Sequence, residues 1–234
     1  MKRLFKQSRE SLGSRRMSKA LRAQGFNVGR TKARRLMRVM ELVVKRKRKY
    51  KVTTDSAHNL PVAENVLNRE FNPMKPNQAW GVDITYVFTS EGWLYLAVVI
   101  DLYSRRVIGW CIDKRMKTSL VVRALMMAVS LRKPPAGLIH HSDRGSQYAS
   151  LQYQQLLKQF GMVSSMSRKG NCWDNAPIER FFSSLKREWI GDRLYGTRDE
   201  AIKDIREYLA VYYNAERLHS TLGYMTPSDF EKVA

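Results

Sequence analysis

One run of sequence limits the fold more than any other: WGVDITYVF (80–88), TSEG (89–92), WLYLAVVIDLYS (93–104) and RRVIGWCI (105–112). Three segments rich in β-branched and aromatic residues follow one another with almost nothing between them. Parallel strands need a crossover of a dozen or more residues, so these three must form an antiparallel meander. The pattern then changes. SLVVRALMMAVSLR (119–132) puts Val122, Leu125, Met126 and Val129 on one helical face, and PPAG ends it. LIHHSD (138–143) reads as a short buried strand, GSQYASLQYQQLLKQFG (145–161) as a helix and MVSSMS (162–167) as a strand. RKGNCWDNAP (168–177) is a loop, and a helix over 175–189 follows, with Ile178, Phe181, Phe182, Leu185 and Trp189 on its apolar face. Asn175 can cap it, and Pro177 suits its first turn. Residues 198–215 read as helical, and TPSDFEKV opens a last helix with Thr226 as cap and Pro227 at its first position. The order β-β-β-α-β-α-β-α predicts an α/β domain, a mixed five-stranded sheet flanked by helices.

The first part of the chain follows another rule. Of 42 Lys and Arg, 19 fall in residues 1–51 with only two acids, a net +17; the other 183 residues carry +4 of the total +21. Such a concentration points to a polyanion, most simply nucleic acid. Met17, Ala20 and Leu21 share one helical face; GFNVGR (25–30) is a turn; Ala33, Leu36, Met37, Met40 and Val44 resume the periodicity. Two short helices joined by a glycine-containing turn make a helix-turn-helix. The second carries Arg30, Lys32, Arg34, Arg35 and Arg38, suited to phosphate and groove contact. Two helices are a thin core, so a third helix, a partner or further sequence is expected. The organisation read here is a basic all-α helix-turn-helix module over 1–51, a linker over 52–76 with one short helix, and an α/β domain over 77–234. KRKRKYK (45–51) is a basic run at the junction.

Several classes fall away. No stretch approaches the roughly 18 apolar residues of a membrane span. The start has no apolar core for a secretory signal. Cys111 and Cys172 alone make neither a disulfide framework nor a zinc spacing, so a reducing, cytoplasmic setting is the default.

Three acids stand out. Asp83 interrupts an apolar strand, Asp143 ends a buried one, and Glu179 opens a helix, with Lys186 two turns later on the same stripe. Each has an ordinary explanation: an arginine partner, a turn, or the helix dipole. Asp101 and Asp174 read as turn and capping residues. His140 or His141, just before Asp143, is a candidate substrate contact, though strand alternation puts only one of them on its face and a packed histidine is at least as good a reading. In the loop 168–176, Arg168, Lys169, Asn171 and Trp173 stand where they can grip nucleic acid. Tyr213, Asn214, Arg217 and His219 read as either contacting DNA or docking the C-terminal segment, with docking slightly favoured.

Together the three acids, with 35 residues between the second and third, resemble the D, D(35)E arrangement of transposases and retroviral integrases, which share a ribonuclease-H-like fold. PNQAWGVDITYV, LYLAVVIDLYSRRVIGW, HHSDRGSQYAS, GNCWDNAPIERFFSSLKREW and YNAERLHSTLGYMTPSDF resemble the second-frame transposases of bacterial insertion sequences of the IS-three family, over nearly the whole chain. That resemblance implies a catalytic and metal-binding triad of Asp83, Asp143 and Glu179, with Asp83 bridging two magnesium ions and manganese a substitute. Three converging carboxylates repel, roughly 4 kcal/mol per pair at about 4 Å and an effective dielectric near 20, and divalent cations relieve this. Lys186 would then reach the DNA backbone beside the metals. The resemblance further implies double-stranded DNA as partner, a homo-oligomer on DNA, fusion to or pairing with an upstream-frame helix-turn-helix protein, and a bacterial, nucleoid-associated location. A non-catalytic DNA-binding regulator and a plain metal-dependent nuclease are the competing readings.

Overall fold

Strands β1 (Ala79–Thr89), β2 (Gly92–Asp101) and β3 (Val107–Asp113) form the expected antiparallel meander. The structure is a computed structural model that describes residues 1–44 and 60–233, so the basic run 45–51 lies outside the described residues. Strands β4 (Ile139–Ser142) and β5 (Val163–Met166) add in parallel on the free side of β1, giving the mixed order β3-β2-β1-β4-β5.

Alternation along the strands makes two cores. Trp80, Val82, Ala97 and Val99 pack with Leu120, Ala124 and Leu125 of α4 (Thr118–Arg132) on one face. Leu94, Leu96, Val98 and Ile100 pack on the other with α7 (Ala176–Ser184) and α8 (Arg198–Glu207). A glycine sets the approach on each face. A Cβ on Gly109 would lie 2.3 Å from the Ala124 carbonyl oxygen, so only glycine admits α4 at this distance. A Cβ on Gly81 would lie 2.2 Å from Cδ1 of Ile178, a fully buried residue of α7.

Three expected helices differ from their periodicity. The helix expected over 145–161 is two, α5 (Ser146–Ala149) and α6 (Leu151–Gln159). Ser150 between them has extended backbone, and its hydroxyl accepts from the Tyr153 N–H as a new cap. α7 passes at Leu185 into a π-helical stretch, Leu185–Ile190, and α8 likewise continues as Tyr208–Tyr213. These two stretches carry an aromatic cluster, with Trp189 and Tyr212 rings 4.9 Å apart and Tyr213 edge-on to Phe181 at 4.7 Å. The wider turn shows only in the hydrogen bonding.

Residues 60–76, read as linker, contain no helix and strap the α/β domain instead. Leu67 is buried in its core, and its N–H donates to Ser165 Oγ. Asn65 and Arg69 both donate to Asp174. The strap is legible only once the fold brings β5 and Asp174 beneath it.

At the N-terminus α1 (Lys2–Gln7) supplies the expected third helix for α2 (Ser14–Ala23) and α3 (Arg30–Val39), around Phe5, Met17, Leu21 and Met37. This small core leans on the larger domain. The Arg9 guanidinium stacks 3.5 Å from the Trp189 ring centroid and pairs with Asp204 at 2.8 Å. Arg16 donates to both Glu188 oxygens at 3.0 and 3.1 Å, and Arg217 grips the same carboxylate at 2.8 and 2.9 Å. Burial works to raise the Glu188 pKa, but Arg217 and Arg16 outweigh it and hold the carboxyl below its ordinary range.

Three histidines are buried and neutral. Tyr153 donates to His140 at 2.9 Å, and His141 Nε2 donates to the Asp174 carbonyl at 2.9 Å. Burial lowers His140 to about 3, His141 to about 4 and His219 to about 3, against 6.5 when exposed. Below pH 6.5 the unfolded chain therefore binds protons that the folded chain refuses, and stability falls as pH falls through that window. We expect Tm to be level from pH 8 to 7 and to drop steadily between roughly pH 6.5 and 4, with His140→Gln reducing the slope; thermal unfolding across pH checks this. Gly81→Ala should cost about 1–3 kcal/mol through the Ile178 clash, measured by urea unfolding, and should also lower catalysis by displacing α7.

Candidate active site

The parallel pairing of β1 and β4 builds the site. Gly81 stands opposite His141, after which β4 ends at Ser142 and the pairing stops. Carrying the same register two residues further sets Asp83 opposite Asp143, at the mouth where the strands part. Such crevices at the carboxyl ends of parallel strands, where the chain changes direction across the sheet, are where α/β folds bind ligands.

Each aspartate leans on a local amide. Asp83 accepts from the Ile84 N–H at 2.7 Å, and Asp143 from the Gly145 N–H at 2.9 Å. Asp83 keeps part of its surface open but is packed round by protein. Burial first, then the Asp143 charge, then Glu179 push its pKa well up, against the Ile84 amide and Lys186. Glu179, on the first turn of α7, is exposed, and burial of its inner part raises its pKa. Lys186 is part-buried, its ammonium 4.8 Å from the Tyr86 ring centroid; burial lowers its pKa while Asp83 raises it. The four groups thus share one electrostatic environment. Among the described residues no three His, Cys, Asp or Glu side chains close round a single point, and of the two other acids Asp143 acts on Asp83 more strongly than Glu179 does.

Other singled-out residues take varied places. Arg30, Lys32, Arg34, Arg35 and Arg38 are all exposed on or beside α3. Trp173 is 70% exposed, so it is not core, and Lys169 is exposed. Arg168 is engaged instead by Asp174, donating through Nε and Nη2 at 2.9 Å each, and Asn171 caps a short 3-10 turn by accepting from the Trp173 N–H. Asp174 proves to be more than a cap: its fully buried carboxylate also binds Arg69, and the Arg168 hydrogen bonds lead in holding its pKa far down. Asp101 is buried and accepts from the Asn77 and Tyr103 amides, a turn role. His140 and His141 point into packing, and Arg217 and His219 dock the C-terminal segment.

Periodicity gave no sign of a cleft of about 860 Å³ between the N-terminal helices and the α/β domain. Arg15, Arg16, Arg30, Arg105, Arg180 and Arg217 line it, with Glu188 as its one acid. These arginines come from segments as far apart in sequence as Arg15 and Arg217 and meet only in the fold.

Residues 73–172 and 161–227 each match a family described as Integrase core domain, and residues 1–50 match an HTH-like domain. An insertion element IS600 protein of 31 kDa from Shigella sonnei is 48% identical over 96% of this chain and 83% of its own length. The transposase for insertion sequence element IS904 of Lactococcus lactis is 42% identical over 99% of this chain and 92% of its own. Transposase InsF for insertion sequence IS3A of Escherichia coli is 44% identical over 97% and 79%. Among solved structures, a simian T-cell lymphotropic virus intasome chain matches 92% of this chain and 70% of its own, at 18% identity and TM-score 0.57. The catalytic core of HTLV-2 integrase, solved with magnesium, matches 68% of this chain and 99% of its own, at 20% identity and TM-score 0.53. The fold is therefore the ribonuclease-H-like fold of integrases, and this chain belongs to the family of insertion-sequence transposases that carry a helix-turn-helix-like region ahead of an integrase core domain.

Proposed function

We propose that this chain cuts and joins DNA strands at Asp83, Asp143 and Glu179. What supports the reading is the β1–β4 register, which carried two residues on sets Asp83 opposite Asp143, together with the effect of the Asp143 charge on Asp83. Packing two like charges together opposes folding, so the arrangement needs a purpose beyond stability.

The donor set is carboxylate oxygen throughout, which suits a hard divalent cation such as magnesium, or manganese in its place. Asp83 and Asp143, once turned from their local amides, and the exposed Glu179 are the side chains that would hold it. Bound there, a pair of such cations stabilises the attacking and leaving oxygens of an in-line phosphodiester displacement. The chain's own groups do the rest. The Lys186 ammonium, beside Asp83, meets a phosphate and orients the strand. Trp173 offers an exposed ring at the head of α7, and Lys169 a second cation. The basic face of α3 and the exposed arginines of the cleft, Arg15, Arg30 and Arg180, hold the DNA backbone, which fixes position without reading sequence. Arg168 and Asn171, already engaged within the loop, shape the surface more than they contact DNA.

Among the described residues no helix is long and apolar enough to cross a membrane. A homo-oligomer assembled on DNA, an upstream-frame helix-turn-helix partner and a nucleoid-associated location complete the proposal.

Labelled element ends with magnesium test it: joined products support strand transfer, cleavage alone a nuclease, and binding alone a regulator. Asp143→Asn should reduce joining to background, leave DNA affinity equal or tighter, and raise the metal-free Tm, by roughly 2–4 °C for each kcal/mol of repulsion relieved. Joined products from that variant would refute the triad. Separately, replacing Arg34, Arg35 and Arg38 by Ala should flatten the dependence of log affinity on log salt by about 0.9 for each phosphate no longer neutralised, read by fluorescence anisotropy.

A further inference from the structure

Asp143 is followed by a tight turn and the single helical turn α5, and that turn ends on Tyr148 and Ala149. Tyr148 is 1% exposed, its N–H donates to the Gly145 carbonyl, and its own carbonyl accepts from Gln154 Nε2 at 2.8 Å. Its ring is wedged edge-on against Tyr153, centroids 5.5 Å apart, and Tyr153 is in turn edge-on to His140. The two stacked tyrosines differ at their hydroxyls. Tyr153 Oη is hydrogen-bonded to His140 Nε2 at 2.9 Å, whereas Tyr148 Oη is fully buried and has no hydrogen-bond partner among the described residues.

The surroundings say what that hydroxyl is for. The space over Gly145 is bordered by Asp143 Oδ1, 3.0 Å from where a Cβ would stand, and by Tyr148 Cδ2, at 3.6 Å. The edge of the ring and the Asp143 carboxylate thus flank one point above Gly145, and the charges of Asp83 and Asp143 both act on the phenol. Folding alone would favour Phe here, because a buried hydroxyl without a partner destabilises and the packing is otherwise apolar. Groups that cost stability yet sit beside a charged cluster are characteristic of working sites.

We propose that Tyr148 is a positioning residue whose hydroxyl donates a hydrogen bond to the Asp83–Asp143 carboxylates once they turn from their local amides to hold a divalent cation. This rests on the carboxylate reading above. Burial, together with the charges of Asp83 and Asp143, pushes the Tyr148 phenol well above its ordinary pKa, so it stays protonated and serves as a donor, not a base. A donor on the outer oxygen of a ligating carboxylate fixes its orientation without competing for the metal, and removing such a partner commonly weakens metal binding or activity 10–100-fold.

The test is Tyr148→Phe in the full chain, which removes one oxygen and keeps the ring. Two measurements are made: the Tm with and without magnesium chloride, and strand joining against magnesium concentration. The expected result is an unchanged or higher metal-free Tm, a smaller rise of Tm with magnesium, and a magnesium requirement raised about tenfold at unchanged DNA affinity. A lower metal-free Tm would show the hydroxyl to be an ordinary structural bond and overturn the inference. Wild-type magnesium dependence of both Tm and joining would also overturn it. Asp143→Asn, run in parallel, separates the cases: if it is inactive while Tyr148→Phe matches wild type, only the role of Tyr148 fails, and if it still joins strands the carboxylate reading itself fails.

Discussion

The limited parallel pairing between β1 and β4 is the constraint on which this protein depends. Three residue pairs, from Ala79 with Ile139 to Gly81 with His141, hold the strands together, and then β4 stops. Had the pairing continued, Asp83 and Asp143 would be neighbours inside a closed sheet, with no route for a substrate. Had the register slipped by one residue, one of the two would have turned to the opposite face. The register is held from both sides. Trp80 and Val82 are locked into one core, and His141, bonded to Ser165 and to the Asp174 carbonyl, ties β4 to β5 and to the loop before α7.

The same loop sets the third acid. Asp174 fastens Arg168, Arg69 and Asn65, so the chain enters α7 from a fixed point, and Ile178 fills the space that Gly81 leaves empty. Glu179 follows Ile178 directly and is carried to the rim of the crevice. The helix then continues as a π-helix to Glu188, where Arg16 of the N-terminal helices and Arg217 of the C-terminal segment meet. One helical rod thus carries a candidate catalytic acid at one end and the docking point of the basic N-terminal helices at the other. These charges are part-buried, so removing either arginine would leave Glu188 less well compensated and loosen this contact.

Much of this was legible in the residues. The meander followed from connection length, the two cores from alternation, and the charge asymmetry from counting. Asp83 stood out because aspartate is disfavoured in a strand interior, and the charges that act on it in the fold are those of Asp143, Glu179 and Lys186. Other features were hidden for identifiable reasons. The π-helical stretches share their apolar spacing with an α-helix to within a residue. The strap over 60–76 has no period because its contacts are single side chains reaching different elements. Asp174 looked like a cap because its partners, Arg69 and Asn65, lie more than a hundred positions away. The arginine cleft has no signature because its walls come from segments far apart in the chain.

The sequence by itself determined the class of fold, the separation of a basic helical segment from an α/β domain, and the acids worth asking about, since local propensity, periodicity and charge act over a few residues at a time. Only the tertiary structure decided which charges act on Asp83, which arginines are engaged by carboxylates and which face the surface, and that the Tyr148 hydroxyl is buried without a partner among the described residues. Those outcomes depend on strand register and on helices closing to the distance that a missing Cβ permits, and neither is a property of any one segment.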